Sequence, residues 1–169
     1  DFLLLTFYAP LASWGDIALG ENRGSWDRPS RSAVLGVLAA SLGLDRFDQN
    51  GHDALDQGYG IAVRQDVIGS ALVDYHSIQT VPEITVRKVQ GAPRRVMLEA
   101  GEPGTLLSRR TYWQDSAAVI AVWTRGVATW SLERLAEAVR TPVFALYAGR
   151  KANPFGLPLD PQIVSGDSL

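Results

Sequence analysis

The sequence predicts an α+β fold, a ferredoxin-like (RRM-like) split β-α-β sheet with an inserted thumb hairpin. Two observations favour it. The predicted elements follow the order strand, helix, strand, long interruption, strand, helix, strand. Apolar residues recur with a period of two in the strands and with helical spacing in the helices. The length of 169 residues suits one domain with an insertion better than two full domains.

The first three elements lie before residue 66. Residues 2–8 form an apolar and aromatic run that stops at Pro10, which is typical of a buried strand. A glycine-rich loop follows, and a helix is predicted from Ser30 to Leu42. Residues 59–65 alternate and predict the next strand.

The first helix carries clear end signals. Ser30 or Ser32 can cap its start, and Gly43 ends it. Gly36 lies inside it, and a glycine there predicts close packing or a close backbone approach.

The last three elements lie after residue 116. Residues 117–123 form a continuous run rich in Val and Ile, which predicts a central strand. Residues 131–140 predict a helix that Pro142 stops, and Arg140 in its last turn suits the helix dipole. Residues 143–147 predict the final strand.

The interruption, roughly residues 66–114, is too long for a plain connection, so a functional insertion is expected. Strand-like stretches at 72–75 and 84–89 predict a hairpin within residues 67–113, projecting from the sheet and poorly ordered in the isolated chain. We expect one domain over residues 1–161, followed by a short tail at 162–169.

Composition narrows the classes of function. Hydrophobic residues make up 46% and charged residues 20%, as in ordinary globular proteins. There is no cysteine, and no apolar run is long enough to span a membrane, so we expect a cytoplasmic protein without membrane contact. The net charge is −2, but six of the 16 basic residues lie between Val86 and Trp113, beside only two acids. This local basic charge suits a polyanion.

Few residues are candidates for a catalytic role. His52 lies in an acidic segment that we interpret as a solvated turn. His76, with Tyr75 and Lys88, could support metal-independent RNA cleavage, although an ordinary strand histidine is the favoured interpretation. No metal-binding or phosphate-loop motif is present, so no cofactor is expected.

Basic and aromatic residues alternate in a more informative way. Residues 108–113 read Ser-Arg-Arg-Thr-Tyr-Trp and offer rings and guanidinium planes for unpaired bases. If they are extended, Arg110 and Tyr112 point to the same side. Residues 147–151 hold a glycine that could let backbone approach a phosphate, and residues 30–32 open a helix whose amides suit an anion. For each cluster a structural role is an equally good reading.

The sequence resembles the CasD family of type I-E CRISPR Cascade subunits, RNA-binding members of the RAMP superfamily. The resemblance rests on residues 10–15, 28–38, 108–115 and 146–151, in that order along the chain. It implies a non-catalytic subunit that holds the 5′ handle of the CRISPR RNA and caps the backbone of CasC subunits in antiviral defence. It also implies a thumb near the adjacent backbone subunit, contact with the large subunit CasA, and only indirect contact with target DNA. A further C-terminal region of the family is expected to be missing.

The residues predicted to bind RNA are those of the basic clusters, the helix entry and the tryptophan loop. They are Trp14, Ser30, Arg31, Ser32, Arg87, Lys88, Arg94, Arg95, Arg109, Arg110, Tyr112, Tyr147, Gly149, Arg150 and Lys151. Two alternatives stay open: a metal-independent endoribonuclease that matures CRISPR RNA, and a protein-interaction domain whose basic residues form salt bridges.

Overall fold

Alternation along the first strand sets the architecture. Leu3, Leu5 and Phe7 are at most 2% exposed, while the residues between them lie on the more open side. The computed structural model describes residues 1–17, 20–81, 93–99 and 104–166. Within these ranges the protein is a mixed α+β fold on one six-stranded mixed sheet. No helix in the described ranges is long and apolar enough to cross a membrane.

The sheet is organised around one long strand. Its strands are β1 (Phe2–Ala12), β2 (Asn22–Arg23), β3 (Tyr59–Val67), β4 (Ser70–Thr80), β5 (Gly104–Thr124) and β6 (Gln162–Val164). β5 pairs antiparallel with β1, β3 and β4, and parallel with β2. β6 pairs antiparallel with β1. β5 therefore pairs with four of the five other strands of the described sheet.

Four helices are described: α1 (Arg31–Leu42), α2 (Gln49–Gly58), α3 (Arg94–Glu99) and α4 (Leu132–Arg140). Ser30 caps α1 by accepting a hydrogen bond from the Ala33 amide at 3.3 Å. Gly43 ends α1 with φ of 79°, a left-handed conformation that favours glycine. Ser131 caps α4 in the same way as Ser30 caps α1. The predicted limits of both helices are confirmed.

The core lies between the sheet and helices α1, α2 and α4. Leu5 and Ile120 face each other across β1 and β5, and both are fully buried. Leu38 of α1 and Leu135 of α4 are also fully buried and belong to the same cluster. The strands predicted at 2–8, 59–65 and 117–123 are confirmed, each as part of a longer strand.

The predicted strand at 143–147 is wrong. The amides of Val143 and Phe144 donate to the carbonyls of Ser41 and Ala40 at 3.2 and 3.1 Å. These carbonyls belong to the last turn of α1, where helical acceptors lack partners within the helix. The segment is therefore bound to the end of a helix, and β6 takes the position beside β1.

The predicted turn around His52 is also wrong, because His52 lies in helix α2. Asp48 caps this helix, accepting a hydrogen bond from the Gly51 amide at 3.0 Å. Leu55 is the side chain that α2 contributes to the core, with 1% exposure.

The inserted segment contains a hairpin of β4 and β5. All eleven residues of β4 pair with β5, from Ser70 opposite Gln114 to Thr80 opposite Gly104. Among the described residues, positions 104–108 of β5 pair with β4 alone, so the hairpin continues beyond the rest of the sheet. The second predicted strand-like stretch, at 84–89, lies outside the described residues. Low order of the insertion in the isolated chain remains a prediction.

Candidate nucleic-acid interface

The end of β1 joins several segments that are far apart in the sequence. The Ser13 amide donates to the carbonyl of Ala148 at 3.0 Å, and the Ser13 hydroxyl donates to the carbonyl of Thr111 at 3.2 Å. Trp14 is 4% exposed and its ring stacks on Phe7, with 6.1 Å between the ring centres. Trp14 is thus a core residue whose backbone anchors the surrounding loops.

The start of α1 is attached to the same point. The hydroxyl of Ser30 lies 3.4 Å from the Trp14 carbonyl and 3.0 Å from the hydroxyl of Ser32. Ser32 is exposed on the first turn of the helix. The helix entry predicted to bind an anion therefore lies beside the tryptophan loop.

The basic cluster at 108–113 is extended within β5, which is the condition under which Arg110 and Tyr112 share a side. The Arg110 guanidinium lies 3.4 Å from the hydroxyl of Ser108, on the side of the strand that also carries Tyr112. Tyr112 is 8% exposed, and the guanidinium carbon of Arg150 lies 4.7 Å from the centre of its ring. One ring face of Tyr112 is therefore occupied by Arg150 and is closed to a base.

The loop at 147–151 is held tightly against β1. Gly149 has φ of 85°, and a Cβ atom there would lie 1.7 Å from the carbonyl oxygen of Ser13. The glycine allows this close contact between two backbones, which is a different reason from the predicted approach to a phosphate. Arg150 also donates to the carbonyl of Arg23 at 3.3 Å, while its Nη1 is buried with no partner among the described residues. Tyr147 is 38% exposed, and Lys151 is exposed.

A groove of about 180 Å³ runs between α1 and this loop. Small residues, Ser32, Gly36 and Ala40, line its helical side. The predicted close packing at Gly36 is wrong, because no heavy atom lies within 4 Å of the position that its Cβ would take. Because the side chains on this face are small, the groove stays open.

Two other predicted arginines, Arg31 and Arg95, form ion pairs within the chain. Arg31 binds Asp56, with 3.0 Å between Nε and Oδ1, and donates to the Tyr59 carbonyl at 3.1 Å. Arg95 pairs with Glu99 at 2.9 Å on α3. Arg87, Lys88 and the Arg94 side chain lie outside the described residues.

The histidine considered for catalysis contacts an acidic side chain. The imidazole of His76 contacts the carboxylate of Asp74, two residues earlier on β4. Tyr75 lies between them in sequence and, because side chains alternate along a strand, points to the opposite face.

Two residues at the edge of the site, Trp26 and Arg28, were not predicted from the sequence. Trp26 is 52% exposed, and with Arg28 and Ser30 it lines a small depression before α1. The Arg28 guanidinium pairs with Asp27 at 3.3 Å and remains largely exposed. The same alternation of aromatic and basic residues that marks 108–113 is present here and could have identified them.

Comparisons with known proteins agree on one family. The CRISPR-associated protein family Cas_Cas5 matches residues 2–169. The chain is 30% identical over 167 residues to the CRISPR system Cascade subunit CasD of Escherichia coli (strain K12). That match covers 94% of this chain and 69% of the relative.

Two solved structures are similar in fold. A chain of a CRISPR RNA-guided surveillance complex superimposes with a TM-score of 0.72 at 28% identity, over 98% of this chain and 64% of that chain. A crystal structure of a Cas protein gives a TM-score of 0.66 at 26% identity, over 98% of this chain and 67% of that chain. The chain thus spans about two thirds of the length of these relatives. It belongs to the CRISPR-associated protein family Cas_Cas5.

Proposed function

We propose that this chain is a non-catalytic, RNA-binding subunit of a type I-E CRISPR Cascade surveillance complex in the prokaryotic cytoplasm. It holds the 5′ handle of the CRISPR RNA and caps the backbone of CasC subunits, with the large subunit CasA beside it. Similarity to a Cascade subunit and to a chain of an RNA-guided surveillance complex supports this role. The handle, the two neighbours and the indirect contact with target DNA are parts of the proposal.

The fold proposed for this role is ferredoxin-like. Leaving aside β2, β4 and helices α2 and α3, the described elements follow the order strand, helix, strand, strand, helix, strand that this fold requires. The hairpin of β4 and β5 is then the thumb, the element that reaches toward a neighbouring backbone subunit.

One observation carries the proposal: four cations lie on two segments that meet at Ser13, with Arg109 on the other face of β5 from Arg110, and none of them forms an ion pair with a described residue. Arg109, Arg110, Arg150 and Lys151 form no ion pair with any described residue. Elsewhere the described arginines commonly do, as Arg31 and Arg64 show. Cations that lack an ion-pair partner in an acidic chain are a place for an external polyanion.

The exposed surroundings favour single-stranded RNA among polyanions. Tyr147 and Trp26 supply partly exposed rings at the two sides of the α1 entry. Unpaired bases stack on such rings, while guanidinium and ammonium groups contact the phosphates between them. The open groove beside Gly36 leaves room for a backbone.

The test is RNA affinity of the Arg110→Ala variant, measured over a series of salt concentrations. We expect binding to repeat-derived RNA to weaken by about 1–3 kcal/mol. The slope of log affinity against log salt should fall by about 0.7, the value for one phosphate contact on a single strand. Arg110→Lys should keep the slope and recover only part of the affinity, because an ammonium group cannot stack as a plane.

Arg134→Ala is the matched control. Arg134 is an exposed arginine on α4 that lies 3.8 Å from Glu137, away from the cluster. We expect its loss to leave RNA affinity unchanged. If Arg110→Ala lowers the melting temperature while affinity per folded molecule stays the same, Arg110 is a structural residue and the proposed interface is wrong.

A further inference from the structure

Three neighbouring strands place one residue each in a single row. Tyr75 of β4 lies opposite Arg109 of β5, and Arg109 lies opposite Asn22 of β2. Residues directly opposite each other in a sheet project to the same face. With about 4.8 Å between strands, the row places an aromatic ring, a guanidinium and an amide side by side over roughly 10 Å.

All three side chains of the row are open to solvent. Tyr75 is 59% exposed, and Asn22 and Arg109 are exposed. No hydrogen bond or ion pair joins the Arg109 guanidinium to another described residue, although its backbone amide is held by the carbonyl of Glu21 at 2.9 Å. The row therefore has a fixed backbone and unoccupied side chains.

The two faces of the hairpin differ in the number of their charged residues. On the face of this row, the adjacent pairs are Val73 with Thr111 and Ser77 with Leu107, all uncharged. The opposite face carries Asp74 and Arg110, which lie opposite each other, and His76. Arg109 is thus the one charge in the described part of its face between positions 71–79 and 105–113, and it is positive.

We propose that Tyr75, Arg109 and Asn22 form a stacking platform for an unpaired nucleobase of the bound RNA. The Tyr75 ring and the Arg109 plane take the face of the base, and the Asn22 amide can donate to and accept from its edge. The guanidinium also meets the adjoining phosphate. This platform rests on the proposed RNA-binding function and assigns its base contact to a different face from Tyr112, whose ring Arg150 covers.

The test uses the full chain and single-stranded RNAs of about eight nucleotides, each with a fluorescent aminopurine at one position. A stacked aminopurine loses fluorescence. We expect quenching at one position in the wild type and loss of that quenching in Tyr75→Ala, with binding weakened about ten-fold. Tyr75→Phe keeps a ring and should retain both the quenching and the affinity. Phe47→Ala, which removes an aromatic ring that is 88% exposed and lies between α1 and α2, outside the hairpin, should change neither.

The outcomes separate the platform from the general function. If the wild type binds RNA and Tyr75→Ala binds and quenches equally well, the platform is wrong and the proposed function stands. If Tyr75→Ala keeps RNA binding and quenching but no longer joins the assembled complex, the face is a protein interface and the platform is wrong. If the wild type binds none of the RNAs, both the platform and the proposed function fail.

Discussion

β5 is one continuous strand, but its two halves differ in how far their side chains are buried. Residues 116–124 lie between β1 and β3, and Ile120 and Val122 there are fully buried. Residues 104–114 pair along their whole length with β4, and Leu106 there is 48% exposed. The same backbone thus supports a core in one half and an open surface in the other.

This difference assigns stability and binding to separate parts of the strand. Burying a large aliphatic side chain stabilises a fold by about 1.5–3 kcal/mol, so the second half contributes strongly to folding. The first half buries Ser108 and Tyr112 but leaves Arg109 exposed and Arg110 half-buried, on a support that continues into the core. A rigid strand can therefore present cations for binding without those cations being needed for folding.

The largest effect is expected from a substitution in residues 116–124, the half of β5 that lies in the core. Ile120→Ala removes a fully buried side chain that faces Leu5 and should lower the free energy of unfolding by about 2–5 kcal/mol, measured by urea denaturation. Leu106→Ala is the matched change in the other half and should alter stability by less than about 0.5 kcal/mol. Equal losses in the two variants would show that the hairpin is as important to folding as the core.

A smaller effect is expected in the loop at 147–151, which packs against the more exposed half of β5 (residues 104–114). Gly149→Ala must keep φ near 85° and place a methyl group against the Ser13 carbonyl, so we expect a loss of about 1–3 kcal/mol. The displaced loop would also carry Arg150 away from Tyr112, and RNA affinity should fall with stability.

Gly126→Ala is the control for backbone strain. Gly126 has φ of 58° but no heavy atom within 4 Å of its Cβ position, so only the conformational cost of about 1–2 kcal/mol applies. The difference between the two variants measures the contact with Ser13. If Gly126→Ala costs as much as Gly149→Ala, that contact does not brace the loop.

The strands and helices of the core were largely predictable from the sequence, because apolar residues recur in them with a regular period. The strand at 117–123 and the helix at 131–140 were found in this way, and both are confirmed. Helix α2 was not predicted because it contains Gly51 and few apolar residues. The Asp48 cap and the burial of Leu55 stabilise this helix only in the folded chain. The segment at 143–147 has a strand-like pattern but binds the end of α1, which no local pattern reveals.

The site was predictable in its parts and not in its arrangement. The cluster at 108–113 was identified from its basic and aromatic residues, the one at 30–32 from the helix that it opens, and the one at 147–151 from its glycine and basic residues. The last two meet at Ser13 through hydrogen bonds across 98 residues and more, and the helix entry joins them through the Trp14 carbonyl. The position of Arg150 over Tyr112 likewise follows from tertiary contact, and so does the row of Tyr75, Arg109 and Asn22, since β2 has only two residues.

The smallest expected effect lies at the junction of the two halves, where Asp115 adopts φ of 55°. The Tyr8 hydroxyl donates to its carboxylate at 3.1 Å, and this hydrogen bond and the negative charge raise the pKa of Tyr8 above its ordinary value of 10.0. Because the folded pKa is the higher one, this contribution to stability is full below pH 10 and is lost as pH rises through the folded pKa. Asp115→Asn keeps a residue that tolerates positive φ but removes the charge, so Tyr8 should titrate nearer its ordinary pKa.

The measurement is the ultraviolet titration of the wild type minus that of Tyr8→Phe, which isolates one of the five tyrosines. A difference curve centred above pH 10 in the wild type and shifted downward in Asp115→Asn is the expected result. RNA affinity at neutral pH should be the same in both proteins, because the bond joins the strands at the junction and leaves the cations of the exposed half in place. A loss of affinity in Asp115→Asn would mean that the junction sets the direction of the hairpin, and that the two halves of β5 do not act separately.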